Sequence, residues 1–99
     1  MLTVTLKNKN KEIIYKNEEI LNFSMFYNKC IFDLNKENII LDNKLLMSYI
    51  NKKIDMILVN KTINEITNRS FILLSFGIDY NKNQFFIDTK IPRSDNDIN

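Results

Sequence analysis

Residues Ser70–Tyr80 carry the pattern that most restricts how this chain can fold. Ile72, Leu74, Phe76 and Ile78 recur at every second position, while Phe71 and Leu73 occupy the alternate side. A period of two belongs to a β-strand, whose successive side chains point to opposite faces of a sheet. Apolar groups on both sides need cover on both faces, so this segment is expected to be a central strand.

The rest of the chain is read around that strand. Leu2, Val4 and Leu6 alternate with Thr3, Thr5 and Lys7, the signature of a half-buried first strand. Asn8, Lys9 and Asn10 follow as turn formers, and residues 12–16 read as the return strand. Phe23–Tyr27 and Cys30–Leu34 flank Asn28 and Lys29 as a second hairpin. A helix over residues 17–26 is the competing reading, because Glu18 and Glu19 suit a helix N-terminus. Asp42 has the side chain of an N-cap. After it, Leu46, Ile50, Ile54, Ile57 and Leu58 fall at three- and four-residue spacings, with Asn51, Lys52, Lys53 and Asp55 on the other side. That spacing predicts a main helix over about 43–59. Thr62 and Glu65 match a capping box and predict a second short helix over about 62–67. Past a turn at residues 81–83, Phe85, Ile87 and Ile91 alternate with Phe86, Asp88 and Lys90, and Pro92 ends that strand. The expected fold is α+β: an antiparallel sheet of four to six strands with one main helix packed on one face. It forms a single domain over residues 1–92, followed by a polar tail over 93–99.

What the chain lacks narrows its chemistry. It contains no His, one Cys and one Gly. Without histidine there is no Ser-His-Asp or Cys-His nucleophile. Cys30 alone can neither close an internal disulfide nor furnish a zinc site, and a single glycine cannot build a phosphate-cradling Gly-rich loop. No apolar run approaches the ~18 residues of a membrane span, and the N-terminus shows no signal-like apolar stretch. No cofactor, no membrane partner and a cytoplasmic location are therefore expected. Ile, Asn, Lys and Phe abound and Ala is absent, which reflects AT-rich coding and suggests an AT-rich bacterium, its phage or plasmid, or a virus. The net charge of +2 is too small to imply a polyanionic partner by itself.

Carboxylate and lysine chemistry remains. If Lys82 and Asn83 form a two-residue turn, Asp79 pairs with Phe86, Gly77 with Asp88 and Ser75 with Lys90. Asp79, Asp88 and Lys90 then project to one side. Two carboxylates and an amine so placed could hold Mg²⁺ and activate water for phosphodiester cleavage. Gly77, Ile78 and Asp79 followed by Phe85, Phe86, Ile87, Asp88, Thr89 and Lys90 resemble the hairpin motif of the PD-(D/E)xK nuclease superfamily. The resemblance implies that Asp79 and Asp88 bind metal and that Lys90 helps polarise the attacking water. The plainer reading of the same residues is a solvated strand face with a weak ion pair.

Lys7, Lys9, Lys11 and Lys16 cluster on the first hairpin near Tyr15. They could track a phosphate backbone, or simply decorate an edge strand against aggregation. Phe23, Phe26 and Tyr27 are candidates for a contact surface, although core packing competes for them. The leading expectation is a small non-enzymatic factor, phage- or mobile-element-encoded, that binds and inhibits a host defence protein. The alternatives are the metal-dependent nuclease hairpin and a nucleic-acid-binding module using the lysine hairpin. A homo-oligomer formed through an exposed edge strand is compatible with each.

Overall fold

In the computed structural model, which describes residues 2–36 and 41–92, the segment expected as a central strand is part of β5 (Glu65–Asp79), the longest strand among those residues. The other elements are β1 (Leu2–Lys7), β2 (Ile13–Phe26), β3 (Lys29–Leu34), α1 (Asn43–Met47), β4 (Lys53–Asn60) and β6 (Gln84–Lys90). The expected polar tail at 93–99 lies outside the described residues. All pairings are antiparallel, and the strands close into a barrel in the order β1-β2-β3-β6-β5-β4.

Two long strands make closure possible. β2 pairs with β1 through Ile20 and then with β3 from Ile20 onward, while β5 passes from β4 to β6 at Ile72. Each carries a register shift beside its handover, between Ile20 and Asn22 in β2 and between Leu73 and Ser75 in β5. An extra residue on one strand bends it and increases its twist, as a barrel corner requires. The extra residues, Leu21 and Leu74, are exposed. The bulges also switch which parity faces inward, so Leu73 on one side of the β5 bulge and Phe76 and Ile78 on the other all pack on the same core.

That core is aromatic along its axis. Phe32 and Phe85, both fully buried, stack with centroids 5.6 Å apart; Tyr15 meets Phe85 at 4.9 Å and Phe23 meets Phe32 at 5.1 Å. Around them pack Val4, Leu6, Ile20, Ile54, Met56 and Ile87. Such offset ring pairs add to the stabilisation from burial alone.

The largest departure from the sequence expectation is the helix. Instead of spanning 43–59, α1 ends at Met47, and Lys53–Asn60 is strand. Its start is as expected, since the Asp42 carboxylate accepts the Leu45 amide at 3.0 Å. The end is set by competition. After Ser48 the chain tightens into three-residue hydrogen bonds, and Asn51 adopts φ 66. The Asn51 amide then donates to the Leu73 carbonyl at 2.7 Å, and β5 captures the chain. Ile54, Met56 and Leu58 satisfy the strand period as well as Ile54, Ile57 and Leu58 satisfy the helical one, and closing the barrel decides between them. Likewise no helix forms at 62–67: Lys61–Asn64 is a turn, and β5 begins at Glu65. Leu46 is fully buried and ties α1 to the barrel core. The fold is therefore mostly β with a minor helical element.

Gly77 is required by its cross-strand partner. A Cβ there would lie 2.7 Å from Phe86 Cζ, and the Phe86 ring also carries the Lys29 ammonium 4.4 Å above its centroid. Gly77→Ala must displace that ring, with an expected loss of about 1 kcal/mol in a urea melt. Combining it with Phe86→Leu should recover most of the loss; an unchanged midpoint in the single variant would contradict this packing.

Candidate functional site

The side chains that point away from the core on β1, β4 and β5 form rows across three strands. Lys7, Asp55 and Ser70 are aligned in one row, and Thr5, Ile57 and Asn68 in the next. The β1–β2 loop folds over the end of these rows. Its organiser is Asn8, whose Oδ1 accepts the amides of Asn10 and Glu12, both at 2.9 Å, and whose Nδ2 donates to Glu12 Oε1 at 3.1 Å and Tyr49 Oη at 3.0 Å. With its side chain so engaged, the buried Asn8 fixes a short loop that presents Lys9 and Lys11. Lys11 adopts φ 65 and reaches Asp55 Oδ2 at 3.0 Å.

Asp55 is the anchor of this surface. It accepts from Ser70 Oγ at 2.5 Å as well as from Lys11. Partial burial pushes its carboxyl up, but the Ser70 and Lys11 hydrogen bonds and the charges of Lys11 and Lys53 more than offset this, holding it below the usual carboxylate range. A carboxylate with a depressed folded-state pKa contributes stability above its ordinary value, and that contribution is lost as pH falls through the lowered one. Asp55→Asn is therefore expected to lower stability at neutral pH and to flatten the acid limb of the pH–stability curve below about pH 4. Urea melts at neutral and acid pH test this; parallel curves for wild type and variant would contradict it.

Three depressions that share lining residues lie on and beside these rows. The central one, about 390 Å³, is lined by Lys7, Lys11, Lys53, Asp55, Ile57, Asn68, Arg69 and Ser70. It shares Lys53 with a second that holds Asn8, Lys9, Glu12, Tyr49 and Lys52, and shares Arg69 and Ser70 with a third that holds Met25, Tyr27, Asn28, Phe71, Thr89 and Ile91. Together they make a trough with six cations (Lys7, Lys9, Lys11, Lys52, Lys53 and Arg69) against two carboxylates, Glu12 and Asp55. This local excess is larger than the +2 of the whole chain, so positive charge is concentrated here. Tyr49 lies at one end, with the Lys52 ammonium 5.7 Å from its ring centroid, and Tyr27 at the other. A larger depression, about 470 Å³, lies between α1 and the second half of β5. Its lining, which includes Met47, Ile50, Phe76 and Ile78, has no Asp, Glu, Lys or Arg.

The sequence candidates divide across this map. Lys7, Lys9 and Lys11 belong to the trough. Lys16 does not line it; its ammonium is 3.4 Å from Glu18 on the exposed surface, a pairing of little energetic consequence. Phe23 is half-buried against the core, whereas Phe26 and Tyr27 are exposed at the β2–β3 turn. That turn is Tyr27-Asn28, one residue earlier than expected, because Phe26 pairs with Lys29.

The β5–β6 register also differs from the expectation. The turn spans Tyr80–Asn83, so Asp79 pairs with Gln84, Gly77 with Phe86, Ser75 with Asp88 and Ile72 with Lys90. Asp79 spends one carboxylate oxygen on the amides of Asn81 and Lys82, which is why the turn is four residues long. Asp88 accepts from Ser75 Oγ at 2.6 Å. The two carboxylates lie four residues apart along adjacent strands, about 13 Å by strand rise, too far to share one ion. Among the described residues, no group of three or more potential ligands gathers as a metal site. Burial pushes the Cys30 thiol up to about 11, only partly offset by the charge of Arg69, so it stays protonated at neutral pH.

Lys52, Lys53, Arg69 and Tyr49 are trough residues that the sequence does not place there. The helical reading sets Lys53 and Asp55 on the polar side of a helix; as a strand, 53–60 turns both away from the core, and the β1–β4 register sets Asp55 opposite Lys7. The ring closes through β1 and β4, and only the overhanging halves of β2 and β5 are paired by a strand on one side alone. The lysines therefore do not guard a whole edge strand. No family model, curated protein or solved structure matches this chain.

Proposed function

We propose that this protein is a small non-enzymatic binding module whose ligand is single-stranded nucleic acid, held in the basic trough across β1, β4 and β5. The observation that carries this reading is the grouping of six cations around adjoining depressions that share Lys53 and Arg69, with Tyr49 lining one and Tyr27 another. A cationic groove tracks a phosphate backbone, and flanking rings accept bases of any sequence. Lys7, Lys53 and Arg69 sit on strands and Lys11 is paired with Asp55, so these cations lose less freedom on binding than lysines on a mobile arm. The test is fluorescence anisotropy of labelled oligothymidylate and oligoadenylate with the purified protein. Similar affinity for both is expected, with weaker binding of duplex DNA; binding of neither single strand would remove the proposal.

A second reading rests on a different observation. Leu21, Phe26, Ile63 and Ile66 are exposed on or beside the overhanging parts of β2 and β5, a surface suited to a protein partner. A phage-encoded inhibitor of a host protein in the cytoplasm would use it. Capture of one stoichiometric protein from nuclease-treated host lysate, lost in an Ile66→Asp variant, supports this reading; capture unaffected by that variant opposes it.

A further inference from the structure

The tip of the β2–β3 hairpin is constructed at a conformational cost that the fold itself does not need. Its two-residue loop is Tyr27-Asn28, closed by the Phe26–Lys29 pair. Such loops call for positive φ and are ordinarily filled by Asn, Asp or Gly. Here the first position is a tyrosine at φ 56, a region that disfavours a bulky side chain. Backbone held in this way is characteristic of functional positions. Tyr27 is 85% exposed and Phe26 67%, so burial does not explain it. The two rings meet edge to face at 4.5 Å and 73°, which braces the pair. The tip is also anchored: the Asn28 carbonyl accepts both the amide and the hydroxyl of Thr89, each at 2.8 Å. Tyr27 lines the same depression as Arg69, where the cationic trough ends.

We propose that Phe26 and Tyr27 form a stacking platform for an unpaired base of a nucleic-acid strand whose phosphates lie along the trough. This rests on the reading of the trough given above and adds the element that separates a nucleic acid from any other polyanion. An exposed ring pair at a depression that Arg69 also lines offers a surface on which a base can stack and a bare phosphate chain cannot.

The chain contains no tryptophan, so Tyr27→Trp places a single reporter at the tip. It is titrated with oligothymidylate and with an abasic oligomer of the same length, while anisotropy of a labelled strand follows binding independently. Quenching by the base-bearing strand alone, with both strands bound, is the expected result. In Tyr27→Asn, which suits the left-handed turn and keeps the hairpin, affinity for oligothymidylate should fall about tenfold and affinity for the abasic strand should not change. Equal affinity of the wild type for the two strands, with no quenching, would overturn the platform and leave the trough standing. Failure of both strands to bind would overturn the trough and the platform with it.

Discussion

Replacing Lys53 and Arg69 together by Glu is expected to abolish oligonucleotide binding without unfolding the protein. These two residues are the junctions of the trough, Lys53 between the central and loop-side depressions and Arg69 between the central and hairpin-side ones. Each exchange removes a positive charge and adds a negative one, which cancels the local excess. Arg69 is exposed and Lys53 half-buried, and surface substitutions of this kind usually change stability by no more than about 0.5 kcal/mol. The milder pair Lys53→Gln and Arg69→Gln gives a quantitative check. Each phosphate contact on a single strand contributes about 0.7 to the dependence of log affinity on log salt, so losing two should reduce the slope by about 1.4. Anisotropy titrations at several salt concentrations read the slope, and circular dichroism reads the fold. Wild-type affinity in the Glu variant would exclude the trough as the binding surface.

Phe85→Ala is expected to be the most damaging core substitution. Phe85 is fully buried and contacts two other rings, Phe32 and Tyr15. Truncating a buried phenylalanine costs about 3–5 kcal/mol through lost transfer energy and the cavity left behind. A domain of this size has only about 5–15 kcal/mol to lose, so at a urea slope near 1 kcal/mol per molar the midpoint should drop by about 3 M. Its neighbour Phe86 faces the other side of β6, half-exposed under Lys29, and Phe86→Ala should cost much less. Equal losses at the two positions would contradict the inward assignment of Phe85 and the β6 register.

The contrast between those neighbours shows what could be read directly from the residues. Where alternation is clean and unbroken, as in Leu2–Lys7 and Gln84–Lys90, strand, face and core residues follow from the period alone. It fails wherever the barrel turns a corner. Leu21 and Leu74 are bulge residues that reverse parity within a strand, so from the sequence β2 reads as two fragments and residues 70–80 read as apolar on both faces for part of their length. Residues 46–58 fit both periods, and the hydrogen bonds from the Asn51 amide to the Leu73 carbonyl and from the Leu73 amide to the Lys52 carbonyl settle the competition in favour of a strand. That helix error concealed the site. With Lys53 and Asp55 assigned to a helix, nothing linked them to Lys7 and Lys11. Arg69 could not be placed near them without the β4–β5 register, which sets its chain neighbours Asn68 and Ser70 opposite Ile57 and Asp55. The lysine hairpin and the Phe26–Tyr27 pair were legible as candidates, but their connection is a property of the closed barrel.

Affinity of the wild-type protein for a short labelled oligothymidylate, measured across a tenfold range of salt, tests the trough most directly. If all six cations engage phosphates, log affinity should fall with log salt at a slope of about −4, and at about −3.5 if Lys11 stays with Asp55. A slope near zero, or no binding at the lowest salt, would show that this surface does not hold a nucleic-acid backbone.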